Sequence, residues 1–83
     1  ITAAESFGIN EAVARTLVVQ TALGAANMAA GYEHSPNVLR QQVTSPGGTT
    51  EAACSLLTQA EFTALVTAAC AAAKARSEAL SAH

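Results

Sequence analysis

The sequence predicts an all-α fold, and three observations support it. No segment alternates apolar and polar residues in the manner of a half-buried strand. The Ser35–Pro36 pair has the form of a helix start, with a hydroxyl cap before a proline at the first helical position. The last third of the chain carries an apolar stripe at helical spacing. This stripe consists of Phe62, Leu65, Val66, Ala69, Ala73 and Leu80.

The first two helices are delimited by residues that favour helix ends. Residues 1–7 are predicted to end a helix at Gly8, because glycine tolerates the left-handed conformation after a last turn. Asn10 is a favoured N-cap, so a second helix is predicted over residues 11–31. Its apolar residues wrap most of its circumference: Val13, Leu17, Val18, Val19, Leu23 and Met28. A helix that is apolar all round is buried on all sides, so other subunits are expected to cover part of it.

A polar stripe along the same helix has two interpretations. Thr16, Gln20 and Asn27 align with Gly24 and Gly31. The stripe is either a narrow solvated face or a close helix–helix contact through small residues.

The remaining helices are predicted from similar local signals. The stretch "YEH", residues 32–34, breaks the second helix, and a short helix follows from Ser35 to about Gln42. A further helix is predicted over residues 49–57. The stretch "TQAE", residues 58–61, then predicts a capping box and a last helix over about 59–82.

Length and composition indicate one small domain with a thin core. The chain has 83 residues, and alanine supplies much of its 51% apolar content. Domains of this size are marginal alone and commonly need disulfides, a metal or a partner chain. Cys54 and Cys70 are predicted to be reduced, buried small hydrophobes, and His34 and His83 lie too far apart in sequence to indicate a metal site. A homodimer or higher homo-oligomer is therefore expected.

Charge and hydropathy argue against two classes of partner. The net charge is −2 and there is no basic patch, so a nucleic-acid interface is not expected. The longest apolar stretch, residues 12–30, contains Arg15, Gln20 and Asn27, and we expect no membrane span. No signal peptide is visible. The chain begins with Ile1, which is compatible with processing, with cloning as a piece, or with excision from a longer protein.

The stretch "VTSPGGTT", residues 43–50, is the most specific motif. Ser45 and Pro46 repeat the cap-and-proline pattern, and a helix is predicted to start here with Ser45 as its cap. Gly47 and Gly48 leave the first helical amides uncovered, and the helix dipole adds positive charge, so a small anion could bind. The Gly-Lys-Ser/Thr ending of a P-loop is absent. The alternative is a well-capped tight turn with no ligand.

Three blocks carry a family resemblance: "QTALGAANM", "EHSPNVLRQQVTSPGGTTEAACSLL" and "AEFTALVTAACAAAKARSEAL". They resemble the C-terminal dimerisation domain of pyrroline-5-carboxylate reductase, from about Ala3 to Leu80. The resemblance implies a cytoplasmic enzyme that reduces 1-pyrroline-5-carboxylate to L-proline with NADPH or NADH, the last step of proline biosynthesis. It also implies that residues 1–83 are the helical part, intertwined with a second subunit. The cofactor domain with its G-x-G-x-x-G loop is missing from this sequence, so the isolated chain is expected to be inactive.

The resemblance also implies roles for five residues. Thr50 would be catalytic, its hydroxyl bonding the substrate ring nitrogen. The backbone amides of Thr49 and Thr50 would bind the substrate carboxylate, with Ser45 nearby. Glu33 would approach the ring, and Gln42 would contact the nicotinamide ribose. Each has a simpler interpretation, such as a first-turn residue for Thr50 or a solvent-facing loop acid for Glu33.

Two classes of function therefore remain open at this point. The first is an oxidoreductase domain completed by a cofactor domain and a neighbouring subunit. The second is a non-catalytic helical oligomerisation module. The resemblance also places a glycine in many relatives where this chain has Glu61, which concerns only the local turn.

Overall fold

The computed structural model describes residues 1–31 and 33–82, and those residues form helices joined by turns, without strands. The helices are α1 Thr2–Ser6, α2 Glu11–Ala30, α3 Pro36–Gln42, α4 Thr49–Gln59 and α5 Phe62–Ser81. The predicted all-α class is therefore confirmed. Tyr32, the first residue of the predicted helix break, lies outside the described residues. The terminal His83 also lies outside them.

Local capping residues set the starts of α2 and α3 as predicted. The Asn10 side-chain oxygen accepts a hydrogen bond from the Ala12 amide at 2.8 Å. The Ser35 hydroxyl accepts one from the Val38 amide at 3.4 Å. Gly8 follows α1 with φ of 90°, the left-handed conformation expected of a glycine that ends a helix.

The junction between α4 and α5 differs from the prediction. The helix α4 continues through Gln59, and the Thr58 hydroxyl donates to the Cys54 carbonyl at 2.9 Å within that helix. Thr58 is therefore an interior residue that bonds back one turn, and the predicted capping box is wrong. Glu61 instead adopts φ of 57° before α5, and its side chain makes no cap hydrogen bond.

The chain divides into two compact units, residues 1–43 and 44–83. In the first unit, α1 and α3 each pack against α2. In the second unit, α4 packs against α5 at a bend of 56°. No single helix in the described ranges is long and apolar enough to cross a membrane, and only the bent pair α4 and α5 reaches that length and composition together.

Apolar side chains are largely uncovered in the single chain. Ala14 alone is buried among the residues that the structure describes. Phe7 is 83% exposed, and Leu56 and Leu65 are each 67% exposed. The six apolar residues predicted to wrap α2 are all between 38% and 54% exposed. Burying one such side chain is worth about 1.5–3 kcal/mol, so the chain alone leaves most of its hydrophobic stabilisation unrealised.

The two cysteines follow the same pattern. Cys54 and Cys70 are both free thiols. Cys54 is partly exposed and Cys70 is exposed, so the prediction that both are buried is wrong for the single chain. The reason for Cys70 is that all residues of α5 are exposed in the single chain, although α4 packs against this helix.

Replacing Glu61 by glycine should stabilise the protein. The left-handed conformation costs a residue with a Cβ roughly 1–2 kcal/mol, and glycine would remove this cost. Glycine also increases the conformational entropy of the unfolded chain, which offsets part of the stabilisation. We expect Glu61→Gly to raise the free energy of unfolding by about 0.5–1 kcal/mol. Urea unfolding followed by circular dichroism, at one fixed protein concentration, measures it.

Ala72→Gly is the matched control, because it places glycine inside the exposed part of α5. It should lower the free energy of unfolding by about 1 kcal/mol. A Glu61→Gly protein that unfolds at lower urea than the wild-type chain would contradict the strain argument.

Candidate functional site

A tight turn precedes α4. The Gly48 amide donates to the Ser45 carbonyl at 2.9 Å, which closes a four-residue turn. Pro46 occupies the second position, and Gly47 occupies the third with φ of 73°. A proline followed by a residue with positive φ is the pattern of a type II turn. The turn therefore needs glycine at position 47.

Gly48 is needed for a different reason. A Cβ at this position would lie 3.1 Å from the Ser45 carbonyl oxygen, closer than ordinary van der Waals contact. That oxygen belongs to the backbone and is fixed by the turn hydrogen bond. The two adjacent glycines thus have separate roles, one in the backbone conformation and one in the close approach of two backbone segments.

The start of α4 carries no side-chain cap. Gly48 is the N-cap residue, and no side-chain hydrogen bond caps this helix in the described part of the chain. The prediction that Ser45 caps a helix starting at Pro46 is therefore wrong. Ser45 contributes its backbone carbonyl to the turn, and the helix begins three residues beyond Pro46, at Thr49.

The backbone amides at this helix start are not equally available. The Gly48 amide is bonded to Ser45, and the Gly47 amide donates to a Glu51 carboxylate oxygen at 3.3 Å. The amides of Thr49 and Thr50 lie in the first turn, where a helix offers them no acceptor. Of the peptide nitrogens after Pro46 in the described residues, these two and the Glu51 amide are left to receive a ligand, because the Ala52 amide is the first that bonds within the helix. The helix dipole favours a negatively charged ligand.

Three residues with hydroxyl side chains lie at or just before these amides along the chain. The hydroxyls of Ser45, Thr49 and Thr50 make no hydrogen bond to the residues that the structure describes. Ser45 and Thr49 are exposed, and Thr50 is partly exposed. Each hydroxyl is therefore accessible to a ligand at the start of α4.

The other two predicted residues line one cavity in the unit of residues 1–43. Glu33 and Gln42 border a cavity of about 430 Å³ between the end of α2 and α3. Its other lining residues are Met28, Gly31, His34 and Leu39. The structure thus brings together the predicted ring-contacting acid and the predicted ribose-contacting amide. The five predicted residues form two groups, one in each unit.

Two features of these units were not predicted. The first is the hydrogen bond from the Gly47 amide to the Glu51 carboxylate, four residues further along the chain. An acidic residue in the first turn of a helix that follows two glycines is the sequence signal that could have predicted it. The second is an apolar groove of about 520 Å³ between α2 and α3. The spacing of Pro36, Leu39 and Val43 along α3 is the pattern that indicates it.

The described residues contain no cluster of three or more His, Cys, Asp or Glu side chains that could hold a metal ion. The predicted site thus consists of amides, hydroxyls, one carboxylate and one side-chain amide. The amides and hydroxyls of this set can donate hydrogen bonds to the carboxylate of a small organic acid.

Comparison with known proteins gives a consistent family. The family model for pyrroline-5-carboxylate reductase dimerisation matches residues 1–80. The pyrroline-5-carboxylate reductase of Pseudomonas aeruginosa is 49% identical over 75 residues, which are 90% of this chain and 28% of that relative. The pyrroline-5-carboxylate reductase of Arabidopsis thaliana is 43% identical over 74 residues, which are 89% of this chain and 27% of that relative.

A third relative, pyrroline-5-carboxylate reductase 2 of Bacillus subtilis, is 40% identical over 60 residues, or 72% of this chain and 22% of that relative. The chain therefore spans about a quarter of the length of the curated relatives it matches. No solved structure matches it.

Replacing Gly47 by alanine should destabilise the turn before α4. The residue has φ of 73° with open space around it, so the cost comes from the backbone and not from a clash. We expect Gly47→Ala to lower the free energy of unfolding by about 1 kcal/mol, measured by urea unfolding at fixed protein concentration. Gly47→Asn is the matched control and should cost less, because asparagine tolerates the left-handed region. Equal costs for the two variants would contradict this assignment.

Proposed function

The chain belongs to the pyrroline-5-carboxylate reductase dimerisation family, and on that basis we propose that it is the helical, substrate-binding part of an enzyme that reduces 1-pyrroline-5-carboxylate to L-proline with NADPH or NADH. The observation that carries the proposal is the start of α4. There the first-turn amides, including those of Thr49 and Thr50, are left open, while the preceding amides of Gly47 and Gly48 are occupied.

The substrate carboxylate is the group that fits this helix start. Its oxygens accept hydrogen bonds from the Thr49 and Thr50 amides, and the dipole of α4 stabilises the negative charge. Ser45 lies in the preceding turn and has a hydroxyl that can add a further hydrogen bond. Because the amides belong to a helix of 11 residues, their directions are set before the substrate arrives.

Thr50 is the proposed catalytic residue. Its hydroxyl donates a hydrogen bond to the ring nitrogen and helps to supply the proton that this nitrogen gains. The nicotinamide cofactor, when bound, supplies a hydride to the imine carbon. The carbon–nitrogen double bond thereby becomes a single bond, and the ring becomes a secondary amine. The imine is already electrophilic, so positioning accounts for much of the required rate enhancement.

Glu33 and Gln42 are assigned by the family resemblance, supported by their shared cavity. Glu33 approaches the substrate ring near its nitrogen, and Gln42 contacts the nicotinamide ribose. The chain has no G-x-G-x-x-G loop to hold the phosphates of a dinucleotide. Gln42 is the residue that we assign to the cofactor, and we propose that most of the cofactor site is supplied from outside the 83 residues.

The proposed assembly is a homodimer or a larger homo-oligomer in which helices of two copies intertwine. The exposed apolar residues of α2 and α5 support this arrangement. The family resemblance is also the basis on which we propose a cytoplasmic location. The free thiols of Cys54 and Cys70 are typical of a reducing compartment.

Replacing Thr50 by alanine should impair catalysis more than binding. The assay uses a chimera in which this chain replaces the matched segment of the Pseudomonas aeruginosa relative. Oxidation of NADPH or NADH is followed with pyrroline-5-carboxylate as substrate. We expect Thr50→Ala to lower kcat about 100-fold, because a group that assists proton transfer is lost. KM should change less, because the amides that hold the carboxylate remain.

Thr67→Ala is the matched control, since the Thr67 hydroxyl donates to the Thr63 carbonyl at 2.8 Å within α5. It should leave kcat unchanged. The 83-residue chain outside the chimera should show no turnover. A chimera whose Thr50→Ala variant keeps full activity would remove Thr50 from the mechanism. A chimera that associates but is inactive with wild-type Thr50 would favour the non-catalytic oligomerisation module.

A charge on the apolar stripe of α5 should disrupt association. Leu65 is 67% exposed in the single chain, and a charge at a site that stayed exposed would change stability by less than about 0.5 kcal/mol. In a dimer that covers α5 the same charge would be desolvated. We therefore expect the wild-type chain to sediment as a dimer or larger at micromolar concentration, and Leu65→Glu to raise the dissociation constant at least about tenfold.

Ser77→Glu is the matched control, because Ser77 lies on α5 away from the apolar stripe. It should sediment like the wild-type chain. A wild-type chain that is a stable, folded monomer at micromolar concentration would refute the proposed association.

A further inference from the structure

We propose that Glu51 is a positioning residue of the carboxylate site at the start of α4. Its side chain occupies the Gly47 amide and restrains the turn that precedes the open amides of the helix. This inference rests on the function proposed above, and it adds a residue that the family resemblance does not assign.

The geometry places Glu51 at the turn itself. It lies in the first turn of α4, and its carboxylate accepts a hydrogen bond from the Gly47 amide at 3.3 Å. The Gly48 amide is bonded to the Ser45 carbonyl at 2.9 Å. Both amides that directly follow Pro46 are therefore occupied from within the chain. Within the described residues, the amides left to a ligand are those of Thr49, Thr50 and Glu51, because the Ala52 amide is the first that bonds within the helix.

Gly47 is the position where such a restraint matters. Gly47 has φ of 73°, and no atom lies within 4 Å of a hypothetical Cβ, so no side-chain packing restrains this residue. Glycine has more backbone conformations available than any other residue. The bond to Glu51 is what ties the peptide plane of the Gly47 amide to the helix, and loss of the bond would let the turn sample other conformations before a ligand binds.

The hydrogen-bond acceptor, and not the negative charge, is the required feature. A carboxylate is favoured near a helix N-terminus by the dipole, but a second negative charge beside an acidic ligand opposes its binding. Glutamine keeps an acceptor oxygen at the same reach without the charge. Glutamine at position 51 should therefore preserve the restraint, whereas alanine should abolish it.

The test is nuclear magnetic resonance of the full 83-residue chain, with L-proline as the probe. Dissociation constants come from the shifts of the Thr49 and Thr50 amides in the wild-type chain and in the Glu51→Ala, Glu51→Gln and Glu11→Ala variants. Glu11 is the matched control, an acid in the first turn of α2. The Gly47 amide shift is recorded in each chain as a direct report on the bond.

We expect Glu51→Ala to move the Gly47 amide resonance and to weaken L-proline binding about fivefold, which is the effect of one lost hydrogen bond. Glu51→Gln should bind within about twofold of the wild-type chain, and Glu11→Ala should match the wild-type chain. In the reductase chimera, Glu51→Ala should raise KM while leaving kcat nearly unchanged.

Three results would overturn the inference. A Gly47 resonance that is the same in Glu51→Ala and the wild-type chain would show that the bond does not form. L-Proline binding by Glu51→Ala that equals that of the wild-type chain would show that the bond has no role in positioning, while the proposed function would stand. A wild-type chain that binds no L-proline, with the Gly47 bond present, would overturn the proposed function together with the role of Glu51.

Discussion

The burial of apolar side chains is the constraint on which the rest of this structure depends. Within the described residues the single chain buries only Ala14, and it leaves half or more of the surface of residues such as Leu17 and Leu23 exposed. Hydrophobic burial is the dominant favourable contribution to folding, so helices with these surfaces require cover from another chain. Membership in a dimerisation family accords with that requirement.

A helix that is held by such packing can offer its first amides as a fixed binding site. The start of α4 combines a closed turn, a glycine N-cap and open first-turn amides at Thr49, Thr50 and Glu51. Any group that binds there meets donors whose directions are set by the helix and not by flexible side chains. Electrostatic stabilisation by donors that need no rearrangement is the most effective kind in catalysis. The glycines at 47 and 48 make this arrangement possible, one through its backbone conformation and the other through the approach of the Ser45 carbonyl.

Local sequence signals predicted the helices well wherever one interaction had no competitor. Asn10 and Ser35 cap α2 and α3 as expected, since each side chain reaches an amide two or three residues ahead. The prediction failed where a polar side chain had two possible partners. Thr58 can cap a following helix or bond back within the preceding one, and the latter occurs. Ser45 contributes its carbonyl instead of its hydroxyl.

The amino-acid order therefore predicted the all-α class and most helix limits, because helical periodicity and capping act over a few neighbouring positions. Motifs such as "SPGGTT" carried the family resemblance, and the roles of the candidate-site residues stay predictions that follow from it. The amino-acid order did not establish which amides after Pro46 are occupied, the left-handed backbone at Glu61, or the 56° bend between α4 and α5. Those features depend on the direction in which a carbonyl, an amide or a carboxylate points once the chain is folded. Several directions are compatible with the same residues, and only the arrangement of the folded backbone selects one.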